Sequence, residues 1–124
     1  MTAYGSTLLE HFRRPRNQRR LDAPTVAHEG YNPLCGDRVR LELVVEDDTI
    51  AAAAFTANAC AICTASASLL TERLAGLSVN AALEISDEEV VAALESDVPP
   101  ARRACATLPL LAMRQGLAGL GHRG

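Results

Sequence analysis

Val39-Arg-Leu-Glu-Leu-Val-Val-Glu-Asp-Asp-Thr-Ile50 is the segment from which the architecture can be read. Val39, Leu41, Leu43 and Val45 alternate with Arg38, Arg40, Glu42 and Glu46, the two-residue period of a half-buried strand. Val44 blurs the alternation. Asp47-Asp48 reads as a turn, and Ile50 to Ala57 reads as the returning strand. Alanine is a poor strand former, so that second strand is inferred from the hairpin and not from propensity. Upstream, Pro24 to Gly30 reads as extended. A small antiparallel sheet of about three strands is the expectation.

Helices flank the sheet on both sides in sequence. Residues 4–14 predict a short helix with Leu8, Leu9 and Phe12 on one side and Pro15 as its stop. After Cys63 the spacing of Leu69, Leu70, Leu74 and Leu77 is helical, with Gly76 near the end. Val79 to Leu83 suits a single turn. Ser86-Asp-Glu-Glu89 is a capping box opening a helix to about Leu94. Pro99 and Pro100 suit the first turn of a last helix, where a missing N–H costs nothing. Leu108, Leu111, Ala112 and Leu117 give that helix an inward face, and Pro109 should bend it or shift its start. The fold class is α+β: a small antiparallel sheet packed on one side by helices. One domain is expected over residues 1–124, with 1–3 and 119–124 frayed.

Composition bounds the possibilities. The 124 residues suit one core without staples, and with four phenylalanines and tyrosines and no tryptophan that core rests on Leu, Val, Ile and Ala. A net charge of −3 argues against a nucleic-acid surface. Arg13, Arg14, Arg16, Arg19 and Arg20 nevertheless cluster, either as a solvated turn or as a docking patch for an acidic partner. No window approaches the ~18 apolar residues of a membrane helix. The start, Met-Thr-Ala-Tyr-Gly-Ser, has neither the basic residues nor the apolar run of a signal peptide. A cytoplasmic protein with reduced thiols is therefore expected.

Three thiols and a carboxylate, in Cys35-Gly-Asp37, at Cys60 and at Cys105, lie in separate stretches with a fourth thiol at Cys63. Thiolates and carboxylates are metal ligands, and together these suggest a site for a soft metal or for sulfur. Gly36 lets Cys35 and Asp37 flank one turn. Cys60 falls where strand gives way to helix, and Cys105 near the start of the last helix, positions that lower a thiol pKa. Each has a plainer reading: a free cysteine is commonly core, and an aspartate in a turn commonly caps its own backbone. His11, His28 and His122 match no ligand position.

The pattern resembles the U-type iron–sulfur scaffold family: IscU, SufU and the N-terminal domain of NifU. The resemblance runs from Tyr4 to about Leu117. It rests on Leu8-Leu-Glu-His-Phe-Arg-Arg-Pro-Arg-Asn17, the Cys-Gly-Asp turn, Cys60-Ala-Ile with the Ala/Ser helix start, and Cys105-Ala-Thr-Leu-Pro109. It implies a scaffold and sulfur acceptor for iron–sulfur cluster assembly, not an enzyme unless sulfur transfer counts as one. Cys105 would accept persulfide sulfur from a cysteine desulfurase. Cys35, Asp37, Cys60 and Cys105 would hold a transient [2Fe-2S] cluster or Zn2+, and apo iron–sulfur proteins would receive the product.

Departures from the family shape the alternatives. Ala104 stands where the IscU type has histidine, as in the SufU type, in which three cysteines and the aspartate hold zinc. A zinc-dependent sulfurtransferase that holds no cluster is thus the alternative. The compact spacing from Cys60 to Cys105 is instead IscU-like. Val98-Pro-Pro-Ala-Arg102 replaces the segment that an Hsp70-type chaperone reads, and two changed apolar positions count against that partner. A redox pair of Cys60 and Cys63 fits the Cys-x-x-Cys spacing but not the βαβ context it needs.

Overall fold

The computed structural model describes residues 4–121. Strands β1 (Val26–Asn32), β2 (Asp37–Glu46) and β3 (Thr49–Asn58) form an antiparallel sheet in chain order. The β2–β3 register pairs Leu41 with Phe55 and Leu43 with Ala53. Val39, Leu41, Leu43, Ala53 and Phe55 are all buried, as the alternation requires. The register shifts between Val44 and Val45, which is why the pattern blurs there. Asp47 and Asp48 have φ of 51° and 61°. A two-residue turn with positive φ at both centres matches the strand twist, and aspartate tolerates that region better than most residues.

Helices α1 (Ser6–Arg13), α2 (Ala61–Leu74), α3 (Val79–Leu83), α4 (Asp87–Ala93) and α5 (Arg103–Gly121) complete the fold, α5 following a 3₁₀ turn at Pro100–Arg102. α2 and α5 contact the sheet, while α1 packs on α2 and α4 on both α2 and α5. Both halves of the Ser86 capping box form. α2 is buried nearly all round, and its Ser66, Ser68 and Thr71 satisfy their hydroxyls internally. It starts before Cys63, because Cys60 is already its N-cap residue.

Two expectations need correction, at Phe12 and at Leu111. Phe12 is 44% exposed, and His11 is buried in its place, with Nδ1 2.7 Å from Ser68 Oγ. Burial, aided by nearby Arg16, lowers the His11 pKa against the pull of Glu72 and Glu10. Leu111 is 46% exposed; Leu108, Ala112 and Leu117 are buried as expected, and Ala106, Leu110 and Met113 join them. Pro109 lies inside α5, which already starts at Arg103. Residues 119–121 belong to α5, and 1–3 and 122–124, His122 included, lie outside the described residues.

The segment after α1 covers the edge of β3, which would otherwise present unpaired backbone. Phe55 N–H donates to the Asn17 carbonyl at 2.9 Å. The chain then reaches Glu42, 1% exposed, whose carboxylate accepts from Leu21 N, Arg20 Nε and Arg40 Nε at 2.7, 2.7 and 2.8 Å. Burial would raise the Glu42 pKa, but these donors outweigh it and the net direction is down. Among the described residues no helix is long and apolar enough to cross a membrane.

Candidate metal centre

One end of the sheet gathers the thiols. Between β1 and β2, Gly36 N–H donates to the Asn32 carbonyl at 2.7 Å and Leu34 N–H to Asn32 Oδ1 at 3.1 Å. Gly36 has φ +79°, a conformation costly for any residue with a Cβ. The turn leaves Cys35 exposed and starts β2 with Asp37 buried. β3 delivers Cys60 to the N-terminus of α2. The third residue of α5 is Cys105, 1% exposed.

Cys35 Sγ and Cys105 Sγ are 3.6 Å apart. These sulfurs and a carboxylate oxygen of Asp37 all lie within 4.8 Å of one another. Asp37 Oδ1 accepts from Cys60 N–H at 3.1 Å, which fixes the carboxylate. Asp37 Oδ2 is buried with no hydrogen-bond partner among the described residues. A buried carboxylate oxygen without a donor is costly, and a cation is what would satisfy it. The Cys60 sulfur falls outside the tight trio, though its charge acts on Cys105.

The donor set fits a metal. A tetrahedral centre with Zn–S near 2.3 Å has an S–S edge of roughly 3.8 Å, close to the separation of Cys35 and Cys105. Three thiols also suit iron–sulfur ligation, with the carboxylate as the harder fourth donor. All four cysteines are free.

The thiol at Cys105 corrects the expectation of a lowered pKa. Burial, the adjoining Cys35 thiol and Asp37 carboxylate, and the charge of Cys60 push it up to about 12. Its helix start is crowded with acceptors, and they outweigh the backbone dipole. Cys63 faces the core, 0% exposed, with its pKa raised mainly by burial. A buried Cys63 thiol does not make an accessible redox pair with Cys60.

Arg102, in the segment that replaces the chaperone-type motif, precedes Cys105 by three residues. The neighbouring Cys105 and Cys60 sulfurs raise the arginine pKa. The signal lay in the spacing: residues three apart share a helix face. His28 Nε2 lies 3.0 Å from Gln115 Oε1, and His11 is committed to Ser68 and Glu72.

Residues 3–123 match the model of the NifU-like N-terminal domain family. The chain is 32% identical over 134 residues to the zinc-dependent sulfurtransferase SufU of Bacillus subtilis, covering 94% of this chain and 90% of that one. It is 35% identical over 121 residues to the iron–sulfur cluster assembly scaffold protein IscU of Rickettsia prowazekii, covering 94% and 90%. The bifunctional protein NifU/MnmA of Rubrobacter xylanophilus is 36% identical over 131 residues; the match takes in 98% of this chain but only 27% of that longer protein. The crystal structure of a NifU-like protein (N-terminal) from Brucella abortus superposes with a TM-score of 0.80 at 18% identity, covering 97% of this chain and 95% of that one. The last of these bears on the fold alone.

Proposed function

Because the chain belongs to the NifU-like N-terminal domain family, we propose that it serves iron–sulfur cluster assembly as a scaffold and sulfur acceptor. The observation that carries this reading is the convergence of Cys35, Asp37 and Cys105 around an unpartnered carboxylate oxygen, with Cys60 alongside. Those four residues are the proposed ligands. The reducing cytoplasm is the proposed setting, in keeping with four free thiols.

Sulfur would arrive as a persulfide on a cysteine desulfurase. The Cys105 thiolate attacks the outer sulfur of that persulfide; a new S–S bond forms on Cys105 and the desulfurase cysteine leaves as a thiolate. Two electrons from an external reductant convert the delivered sulfur to sulfide, which joins ferrous iron at the site. The assembled [2Fe-2S] cluster is cargo, passed on to an apo iron–sulfur protein. Arg102 places a permanent positive charge beside Cys105 and favours its thiolate when the donor docks. Exposed Cys35 leaves one side of the site open to that donor.

A second reading is favoured by one feature. Ala104, next to Cys105, is exposed and offers no imidazole, so the ligand set is three thiols and a carboxylate, a closed tetrahedron for zinc. In that case zinc holds the thiols, and sulfur is relayed without a cluster being formed.

Transfer of labelled sulfur from a desulfurase tests the acceptor role. Cys105→Ser is expected to abolish stable label on the chain, and full labelling of that variant would overturn the assignment. The hard carboxylate is expected to make the cluster easy to release. Asp37→Ala or Asp37→Cys should slow cluster loss, and an unchanged rate would refute that role.

A further inference from the structure

The arginines of this chain are segregated, and the thiol centre uses only one of them. Arg13, Arg14, Arg16, Arg19, Arg20, Arg38 and Arg40 form a band that begins at the end of α1, follows the segment over the β3 edge, and continues onto the outer face of the sheet. Among the described residues, only Glu10, Glu29 and Glu42 pair with members of the band. Seven positive charges against three negative leave a surplus of four in a chain whose total is −3, so the remainder carries −7.

The band is held in place, not merely exposed. Arg16 N–H donates to Ser68 Oγ at 2.8 Å, Asn17 Nδ2 donates to Thr71 Oγ1 at 3.3 Å, and Leu21 N–H is tied to Glu42. Arg16 and Arg20 are used in this mooring through Glu10 and Glu42. Arg13 and Arg19 are exposed, and their guanidiniums make no hydrogen bond or ion pair among the described residues. Phe12, 44% exposed, lies beside Arg13. A moored segment that displays free arginines loses little conformational freedom when a partner binds.

Beyond Arg20 the band opens into a groove of about 450 Å³ lined by Arg20, Glu29, Arg38, Arg40, Thr56 and Asn58. This groove leads to the thiol end. Arg38 follows Asp37 in β2, and Asn58 precedes Cys60 by two residues. Arg38 also stacks on the Tyr31 ring at 4.4 Å, which holds its guanidinium over the sheet.

We propose that this arginine band is a docking surface for a carboxylate-rich segment of a protein partner, which it guides along the sheet toward the thiol site. Every basic side chain of the band is arginine, whose planar fork pairs two-for-two with carboxylates. The −7 carried by the rest of the surface repels a long polyanion such as nucleic acid, whereas a short acidic segment stays within the band. The mention of the thiol site rests on the function proposed above; the docking surface itself does not.

The test uses a fluorescein-labelled dodecamer of glutamate, with fluorescence anisotropy at low salt and amide chemical shifts to locate it. Binding should weaken as salt rises, with shifts at Arg19, Arg38, Thr56 and Asn58. Arg13→Glu with Arg19→Glu should lower affinity by about 10-fold or more. Arg73→Glu with Arg103→Glu, the same change in net charge elsewhere, should lower it by less than about 2-fold. Cys105→Ser should bind the peptide as the parent does, so a failure of the sulfur reading would leave this result standing. The proposal is overturned by absence of binding, by equal loss in both double variants, by shifts confined to other surfaces, or by a 12-base-pair DNA duplex binding more tightly through the same arginines.

Discussion

The two ends of the sheet are built by opposite rules. At the Asp47-Asp48 end the backbone is closed: Val79 N–H donates to the Asp48 carbonyl, Ile50 N–H to that of Leu77, and Gly76 N–H to that of Ile50, all at 2.8 Å. At the Cys35-Gly36-Asp37 end a buried carboxylate oxygen has no donor and two sulfurs stand 3.6 Å apart. Both ends carry positive-φ turn residues, so strain alone does not mark the functional end. What marks it is polar capacity left unused. The lesson extends to the thiols: Cys63 and Cys105 are both buried, yet of the two only Cys105 has its sulfur in the tight trio with Cys35 and Asp37.

The sharpest way to break this comparison is to remove a ligand. Cys105→Ala or Cys35→Ala should weaken zinc binding by more than about 100-fold, beyond the loss typical of outer-shell changes, as read by competition with a chelator. A milder effect would mean that the thiol end is not a metal centre. Next in size is Glu42→Gln, which leaves Arg20 and Arg40 around an uncharged group. It should cost about 2–3 kcal/mol in urea unfolding, discounted for the exposure of the arginines, while leaving zinc affinity intact. Because the folded-state pKa of Glu42 is depressed, its contribution is full above the unfolded carboxylate value and is lost as pH falls toward the folded value. The parent should therefore lose stability in acid more steeply than the Gln variant.

Cys63→Ala sharpens the contrast between the two buried thiols. A small cavity should cost about 1–2 kcal/mol, with metal content and sulfur acceptance unchanged. Loss of either function would bring Cys63 back as a working thiol. The smallest effect is expected at the closed end. Asp48→Gly relieves a left-handed aspartate at the second centre of the hairpin turn, and should change stability by less than about 1 kcal/mol without touching the thiols.

Much of this was legible in the residues, for identifiable reasons. The hairpin was visible because one face of β2 is buried, so burial and sequence share a period of two. Even the blur at Val44 had a cause, the register shift beside it. The Ser86 capping box is local chemistry and formed as read. Phe12 and Leu111 misled because a hydrophobic side chain at helical spacing need not be covered. His11 displaced Phe12 because Ser68, 57 positions away, supplies a buried partner that no local pattern reveals. At the site, the cysteines and Asp37 were readable from type and spacing. The raised pKa of Cys105 was not, because it comes from three stretches meeting in space.

The measurement closest to the central claim is metal and acid-labile sulfide analysis of the anaerobically purified chain, before and after incubation with a cysteine desulfurase, cysteine, a reductant and ferrous iron. The account predicts iron and sulfide bound in equal amounts, lost on transfer to an apo-ferredoxin, and absent from Cys35→Ala. Zinc retained in near-stoichiometric amount with no sulfide bound would contradict the scaffold and leave the zinc-dependent sulfur relay.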